Sequence, residues 1–194
     1  RRYQPDVMFI HLAHLDHTRH ANGIHGEAVK QAIIANDDWL GRLMEAAMDA
    51  GVYENTNFAV ISDHGHLAVK QLFNPNVLLV QAGLIRINAE GKIIDWDAYC
   101  NSTSQVVLKD PDNLEIREKL EDLLYQMREN PAYGVESVFT KEEVEREQHL
   151  TGDFDYILEG KDSTSFGAAC TGELIVKPDN SDYKFSVASH GHLP

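Results

Sequence analysis

Asn57-Phe58-Ala59-Val60-Ile61-Ser62-Asp63-His64-Gly65-His66 is the stretch on which the reading of the chain turns. An apolar run with aromatic and β-branched residues ends abruptly in an acid, two imidazoles and a glycine, as a buried parallel strand does where it opens into a loop. In open α/β sheets, ligands bind beyond the carboxyl ends of the strands. The pattern therefore predicts Asp63 and His64 at a strand mouth, an oxygen and a nitrogen donor of the kind that suits zinc and similar transition metals. Gly65 permits a sharp turn or a close approach there. A polar strand end feeding an ordinary loop would leave the same tetrapeptide, so its meaning rests on two other places.

The first lies upstream. Pro5-Asp6-Val7-Met8-Phe9-Ile10 predicts a second buried strand, which runs into His11-Leu12-Ala13-His14-Leu15-Asp16-His17-Thr18-Arg19-His20, with four histidines and one aspartate in ten residues. Asp16 and His20 are four apart, so one helical turn puts both on one face, able to bite one metal ion. His14, His17 and His20 recur every third residue, whereas His11, His14, His17 and His25 also fit a solvated loop or imidazoles capping nearby carbonyls. The second place is Ser189-His190-Gly191-His192-Leu193-Pro194, where the flanking Phe185-Ser186-Val187-Ala188 and Leu-Pro distinguish the His-Gly-His from a purification tag. Three separated clusters of Asp and His point to one assembled metal site.

Between the first two clusters, Val29, Ile33, Leu40, Leu43 and Ala47 recur at helical spacing from Gly26 to Ala50, with Gly51 as the stop and Asn36, Asp37 and Asp38 on the solvent face. The order is strand, ligand-type loop, helix, strand, ligand-type loop. This βαβ unit, with a right-handed crossover, would bring both strand mouths to one edge of a parallel sheet. Further on, the sequence predicts a short helix over Asn76–Gln81 and a hairpin of Leu84–Asn88 with Lys92–Trp96. A strand over Gln105–Lys109 follows, then a helix presenting Ile116, Leu120, Leu123 and Met127, capped by Asp110 with Pro111 at its first position. Trp96 and Tyr99 read as packing rather than as a base-stacking pair. Strands are expected at Glu136–Phe139, Phe154–Glu159 and Glu173–Val176, and Thr140-Lys141-Glu142-Glu143 is a capping-box helix start. Residues 77–185 are expected to complete or cover the sheet and to return His190 to the metal edge.

Length and composition bound these readings. The 194 residues suffice for one sizeable core and the 43% apolar content is that of a globular protein. With 17 Lys and Arg against 31 Asp and Glu, the formal charge is -14, which excludes a nucleic acid polymer held on a basic footprint. It leaves room for a phosphorylated small molecule, because bound divalent ions invert the local field. Cys100 and Cys170 form neither a zinc motif nor a disulfide framework, which leans the expected location to the cytoplasm. No stretch has the length of a membrane span, and oligomeric state is not encoded in any feature. The chain opens at Arg1 and enters a strand within a few residues, so it is expected to be a piece of a longer protein.

Asp16-x-x-x-His20, Ser62-Asp63-His64-Gly65 and His190-Gly191 resemble, in order and type, the metal-binding motifs of the nucleotide pyrophosphatase/phosphodiesterase (type I phosphodiesterase) family of the alkaline phosphatase superfamily. The resemblance spans nearly the whole chain. It implies an α/β fold, an alkaline phosphatase-like three-layer sandwich with a mostly parallel central sheet, of which residues 1–194 would be the C-terminal portion of a single catalytic domain. In that family two zinc ions bridge a substrate phosphate, and a threonine or serine nucleophile bound to one of them forms a covalent intermediate. Carried over, Asp16, His20 and His190 would ligate one zinc, while Asp63 and His64 would ligate the other. The family's second site also takes an aspartate from its first strand and the nucleophile, and neither motif occurs in this sequence.

The resemblance thus implies a two-zinc hydrolase of phosphodiester or pyrophosphate bonds in small nucleotide-like substrates. One site is near complete and one half-built in this chain, which alone would be inactive or nearly so. Thr18, Ser62, Thr171 and Ser189 read as capping or turn hydroxyls rather than as substitute nucleophiles. His192, beside His190, is the candidate contact to phosphoryl oxygens. Two other readings stand beside this one: a phosphonate hydrolase or phosphomonoesterase of the same superfamily, and a non-catalytic metal-binding module.

Overall fold

A computed structural model describes residues 5–161, 163–178 and 187–193. Arg1, Asp162, Phe185, Ser186 and Pro194, which figure in the sequence reading, lie outside the described residues. In chain order the elements are α1 (His14–Asn22), α2 (Glu27–Asp49), β1 (Leu67–Ala68), β2 (Gln71–Phe73), α3 (Pro75–Gln81), β3 (Ile85–Ile87), β4 (Ile93–Trp96), β5 (Ala98–Cys100), β6 (Gln105–Leu108), α4 (Leu114–Glu129), β7 (Val135–Thr140), α5 (Lys141–Gln148), β8 (Tyr156–Gly160), β9 (Thr164–Phe166), β10 (Ile175–Val176) and β11 (Ala188–Ser189). The chain is a mixed α/β protein with several small sheets. It divides into two compact units, one of Arg1–Ala68 with Ser186–His190, the other of Val69–Phe185 with Gly191–Pro194.

The first unit is built on α1, α2 and the antiparallel pair β1–β11, in which Leu67 faces Ser189 and Ala68 faces Ala188. Helix α1 ends where Gly23 takes φ +87° and its N–H donates to the Arg19 carbonyl, a backbone state that costs glycine least. Helix α2 matches its predicted span, and Gly51, at φ +73°, lies just past its end. Its apolar stripe is only half used: Val29 and Ala32 are buried, but Ile33 and Trp39 are about half exposed.

The two predicted strands of the βαβ unit are corrected by the structure. Residues 5–10 and 57–62 form no ladder among the described residues, and Phe9 and Ile61 are 90% and 85% exposed. A parallel strand is stabilised by a hydrogen-bonded neighbour and by cover on both faces, and the described residues supply neither. The sheets are accordingly mostly antiparallel.

The second unit holds the main core. Strands β5-β6-β8-β7 make an antiparallel four-stranded sheet, β10-β2-β9 a mixed one whose β2–β9 pair is parallel, and β3–β4 the predicted hairpin. Phe73, Leu79, Leu84, Ile85, Val106, Leu120, Leu124, Met127, Tyr156 and Leu158 form one buried cluster, with Trp96 and Tyr99 packed against it. Helix α4 is capped not by Asp110 but by Asn113, whose side chain accepts from the Ile116 N–H; Asp110 instead accepts from Asp112 N–H in the preceding turn. The Thr140/Glu143 capping box forms as expected. Cys100 is fully buried, which pushes its thiol up to about 12, so it serves as packing. No helix among the described residues is long and apolar enough to cross a membrane.

Asn76, fully buried at the start of α3, ties this unit together. Its amide donates to the Cys100 carbonyl at 2.7 Å and the Ala168 carbonyl at 3.2 Å, and its Oδ1 accepts from the Cys100 N–H at 2.9 Å. Asn76→Leu would strand these backbone groups away from water, at a cost of about 2–3 kcal/mol. The expected result is a lower urea midpoint followed by circular dichroism; an unchanged midpoint would show that these bonds add nothing net.

Candidate metal centre

Asp16, His20, His66 and His190 are the four donors that converge in the first unit, with one ligand atom from each lying within 4.8 Å of all the others. Helix α1 supplies Asp16 and His20 one turn apart on one face, as the spacing predicts. The loop before β1 supplies His66, and the end of β11 supplies His190. Three imidazole Nε2 atoms surround Asp16 Oδ1, at 3.4 Å for His20, 3.0 Å for His66 and 3.6 Å for His190.

The His20 ring is fixed from behind. Its Nδ1–H donates to the Ala188 carbonyl at 2.7 Å. A carbonyl only accepts, so the proton is on Nδ1 and Nε2 presents its lone pair, the arrangement typical of a metal-ligating histidine. The same helix end is held a second time where the Val187 N–H donates to the His20 carbonyl at 3.1 Å. Donors in a tetrahedral zinc site stand about 3.3–3.4 Å apart when metal–ligand distances are 2.0–2.1 Å. The His20 and His190 separations from Asp16 lie close to that edge, so the donor set fits a zinc ion.

Asp63 and His64 are not in the four-donor group. The His64 ring stacks on His190 with centroids 3.7 Å apart, its Nδ1–H donates to the Gly65 carbonyl, and its Nε2 lies 3.5 Å from Asp63 Oδ2. They form a local acid–imidazole pair beside His190, with the Asp63 side chain 70% exposed. A backbone hydrogen bond from its own N–H, followed by the charge of His64, holds the Asp63 carboxyl below its ordinary value. His192 lies in the second unit, where its Nδ1–H donates to Glu159 Oε1 at 2.9 Å with both side chains mostly buried. Gly160 next to Glu159 has no room for a side chain, since a Cβ there would meet the Thr164 carbonyl and the His192 ring.

Three of the four candidate hydroxyls are engaged with backbone. Thr18 donates to the His14 carbonyl, Ser62 to the His64 carbonyl and Ser189 to the His190 carbonyl. His11, His14, His17 and His25 are exposed. His66 is the residue that sequence reasoning left out of the site. The signal for it is the alternation of an extended loop, in which residues 64 and 66 face the same way; their rings lie 5.3 Å apart.

Two imidazoles of the cluster are held neutral. Burial, and then the neighbouring His20, lowers the pKa of His66; burial, and then His64 and His20, lowers that of His190. Neutral rings meet less proton competition for a metal.

The family model described as type I phosphodiesterase/nucleotide pyrophosphatase matches residues 1–190. No curated protein matches the chain. No solved structure matches it either.

The lowered imidazole values carry a sign. The unfolded chain takes up protons first as pH falls, so stability from His66 and His190 is present above about pH 6.5 and is lost as pH drops through that value toward their lower folded ones. The metal-free chain is expected to unfold at a lower urea concentration at pH 5.5 than at pH 7.5, with a smaller difference in His190→Ala. A midpoint that rose on acidification would contradict the neutral cluster.

Proposed function

Because the chain belongs to the type I phosphodiesterase/nucleotide pyrophosphatase family, we propose that its residues serve a zinc-dependent hydrolase that cleaves phosphodiester or pyrophosphate bonds of small nucleotide-like substrates. The observation that carries this reading is the convergence of Asp16, His20 and His190, drawn from widely separated parts of the chain, at spacings that suit one metal ion. An alkaline phosphatase-like architecture, supported by the family membership, is part of the same proposal, in which residues 1–194 form the C-terminal portion of one catalytic domain.

In this reading Asp16, His20 and His190 hold one zinc, and Asp63 with His64 contribute to a second. Such ions supply Lewis-acid stabilisation of charge on phosphoryl oxygens. The residues of the chain do the positioning. Asp16 brings the negative charge that offsets the cation. Ala188 fixes the tautomer and aim of His20, the β1–β11 ladder delivers His190, and the stacked His64 ring limits how His190 can turn. His192, its ring set by Glu159, is the proposed contact to phosphoryl oxygens. The family's nucleophile motif has no counterpart in these residues, and Thr18, Ser62 and Ser189 all donate to backbone. The chain alone is therefore proposed to bind metal with little or no turnover.

Two measurements test this. Titration of the chelator-treated chain should find about one tight zinc, weakened in His190→Ala; no tight zinc, or one indifferent to that substitution, would remove the observation on which the reading rests. In the assay, a product of the same gene that carries a nucleophile motif should release nitrophenolate from bis(4-nitrophenyl) phosphate at least about ten-fold faster than from 4-nitrophenyl phosphate, a preference worth ~1.4 kcal/mol, whereas this chain should stay near background. The reverse preference would favour the phosphomonoesterase alternative.

A further inference from the structure

An Asp/His cluster with four donors would ordinarily read as a closed tetrahedral site, saturated by protein and unable to admit a substrate oxygen. The placement of hydrogens separates the four. His20 spends its Nδ1 proton on Ala188, which leaves Nε2 unprotonated and facing Asp16. His66 has the opposite constraint. Its side chain is 3% exposed, its Nδ1 is buried with no hydrogen-bond partner among the described residues, and its Nε2 lies 3.0 Å from Asp16 Oδ1.

A bare Nε2 on His66 would put the proton on Nδ1, a buried N–H with no acceptor, at a cost of about 1–3 kcal/mol. It would also set a nitrogen lone pair against a carboxylate oxygen. With the proton on Nε2, the 3.0 Å separation is an ordinary N–H···O hydrogen bond. The unmet group is then an acceptor, which folded proteins leave unmet more readily than a donor. His190 is placed differently again: its Nε2 stands 3.6 Å from Asp16 Oδ1, beyond hydrogen-bond length but near the spacing of two donors on one ion, and its ring is partly open to solvent.

We propose that His66 is a positioning residue, not a fourth ligand: its Nε2–H holds the Asp16 carboxylate from outside the coordination sphere, so that Asp16, His20 and His190 supply three protein donors and the fourth position stays available to substrate. This rests on the zinc-hydrolase reading above and deepens it, because it makes the site of the open, catalytic type. It also gives the Asp63-His64-Gly65-His66 loop a double use, with its first two residues beside one candidate metal position and its last bracing a donor at the other.

The experiment is imidazole 15N NMR of the chain, metal-free and zinc-loaded, with zinc affinity measured by chelator competition for the parent, His66→Leu, His66→Gln and His20→Ala. His66 should show the Nε2–H tautomer in both states, while the Nε2 resonances of His20 and His190 move on zinc loading. His66→Leu should weaken zinc binding roughly 10–100-fold, as loss of a supporting hydrogen bond does. His66→Gln, which keeps an N–H donor, should recover most of that loss. A merely structural histidine would not be rescued by glutamine. A His66 Nε2 that becomes metal-bound on loading, or His66→Leu binding as tightly as the parent, overturns the proposal while leaving the metal site intact. Absence of tight zinc in the parent, or indifference to His20→Ala, overturns the site reading and the proposal with it.

Discussion

The hydrogen bond from His20 Nδ1 to the Ala188 carbonyl spans 168 positions of sequence, and the candidate site depends on it more than on any other contact. It ties α1 to a strand far away in sequence, fixes which nitrogen of His20 faces the cluster, and ends on Ala188 in β11, the strand that presents His190. Closing a loop of that length costs only slightly more than closing one half as long, so a few well-placed bonds suffice. They are the His20 side-chain bond, the Val187 N–H to the His20 carbonyl, and the short β1–β11 ladder. Removing the carbonyl's partner would cost the site both a ring orientation and the register of its last donor.

What was legible in the sequence was what local chemistry determines. Helix α2, the β3–β4 hairpin and the Thr140/Glu143 box each carry their own signals within a few residues, and each forms where expected. The i, i+4 pairing of Asp16 and His20 is of the same kind. The misses share a different origin. Asp110 and Asn113 are both competent caps, and which one wins is decided by the turn that Pro111 and Asp112 make before the helix, where Asp110 is already engaged with the Asp112 N–H. The runs at residues 5–10 and 57–62 have the composition of buried strands, but composition states only that a strand would be tolerated there. Pairing and cover are nonlocal, and the described residues supply neither. Alternation puts His66 on the same side as His64, but its meeting with Asp16 is decided by nonlocal packing that spacing does not encode.

The electrostatics of the cluster run against those of the whole. A chain with a formal charge of -14 repels phosphate at long range, yet the candidate site gathers three imidazoles about a single carboxylate. Crowded and partly buried, His66 and His190 favour their neutral forms, so the site attracts no anion by its own charge. In the proposed function it takes a cation first, and a bound cation would then supply the local positive field that a phosphate ester needs.

The two units differ in what holds them. The second has a continuous apolar core around Phe73, Leu79, Leu120, Leu124 and Leu158. In the first, the buried side chains among the described residues are Val29, Ala32 and Ala188 with the polar Thr18 and His20. At about 25 cal/mol per Å2 of apolar surface, so small a set does little to offset the ordering of the convergent Asp16, His20 and His190 groups, whose lone pairs and carboxylate resist being brought together. Ligation turns that mutual repulsion into attraction at one point. Where donors are held by hydrogen bonds rather than by a packed core, the free energy of binding a metal is largely spent on organising the unit that binds it. Donor geometry and local stability in this unit are therefore set by the same contacts, from Asp16 through His20 to Ala188.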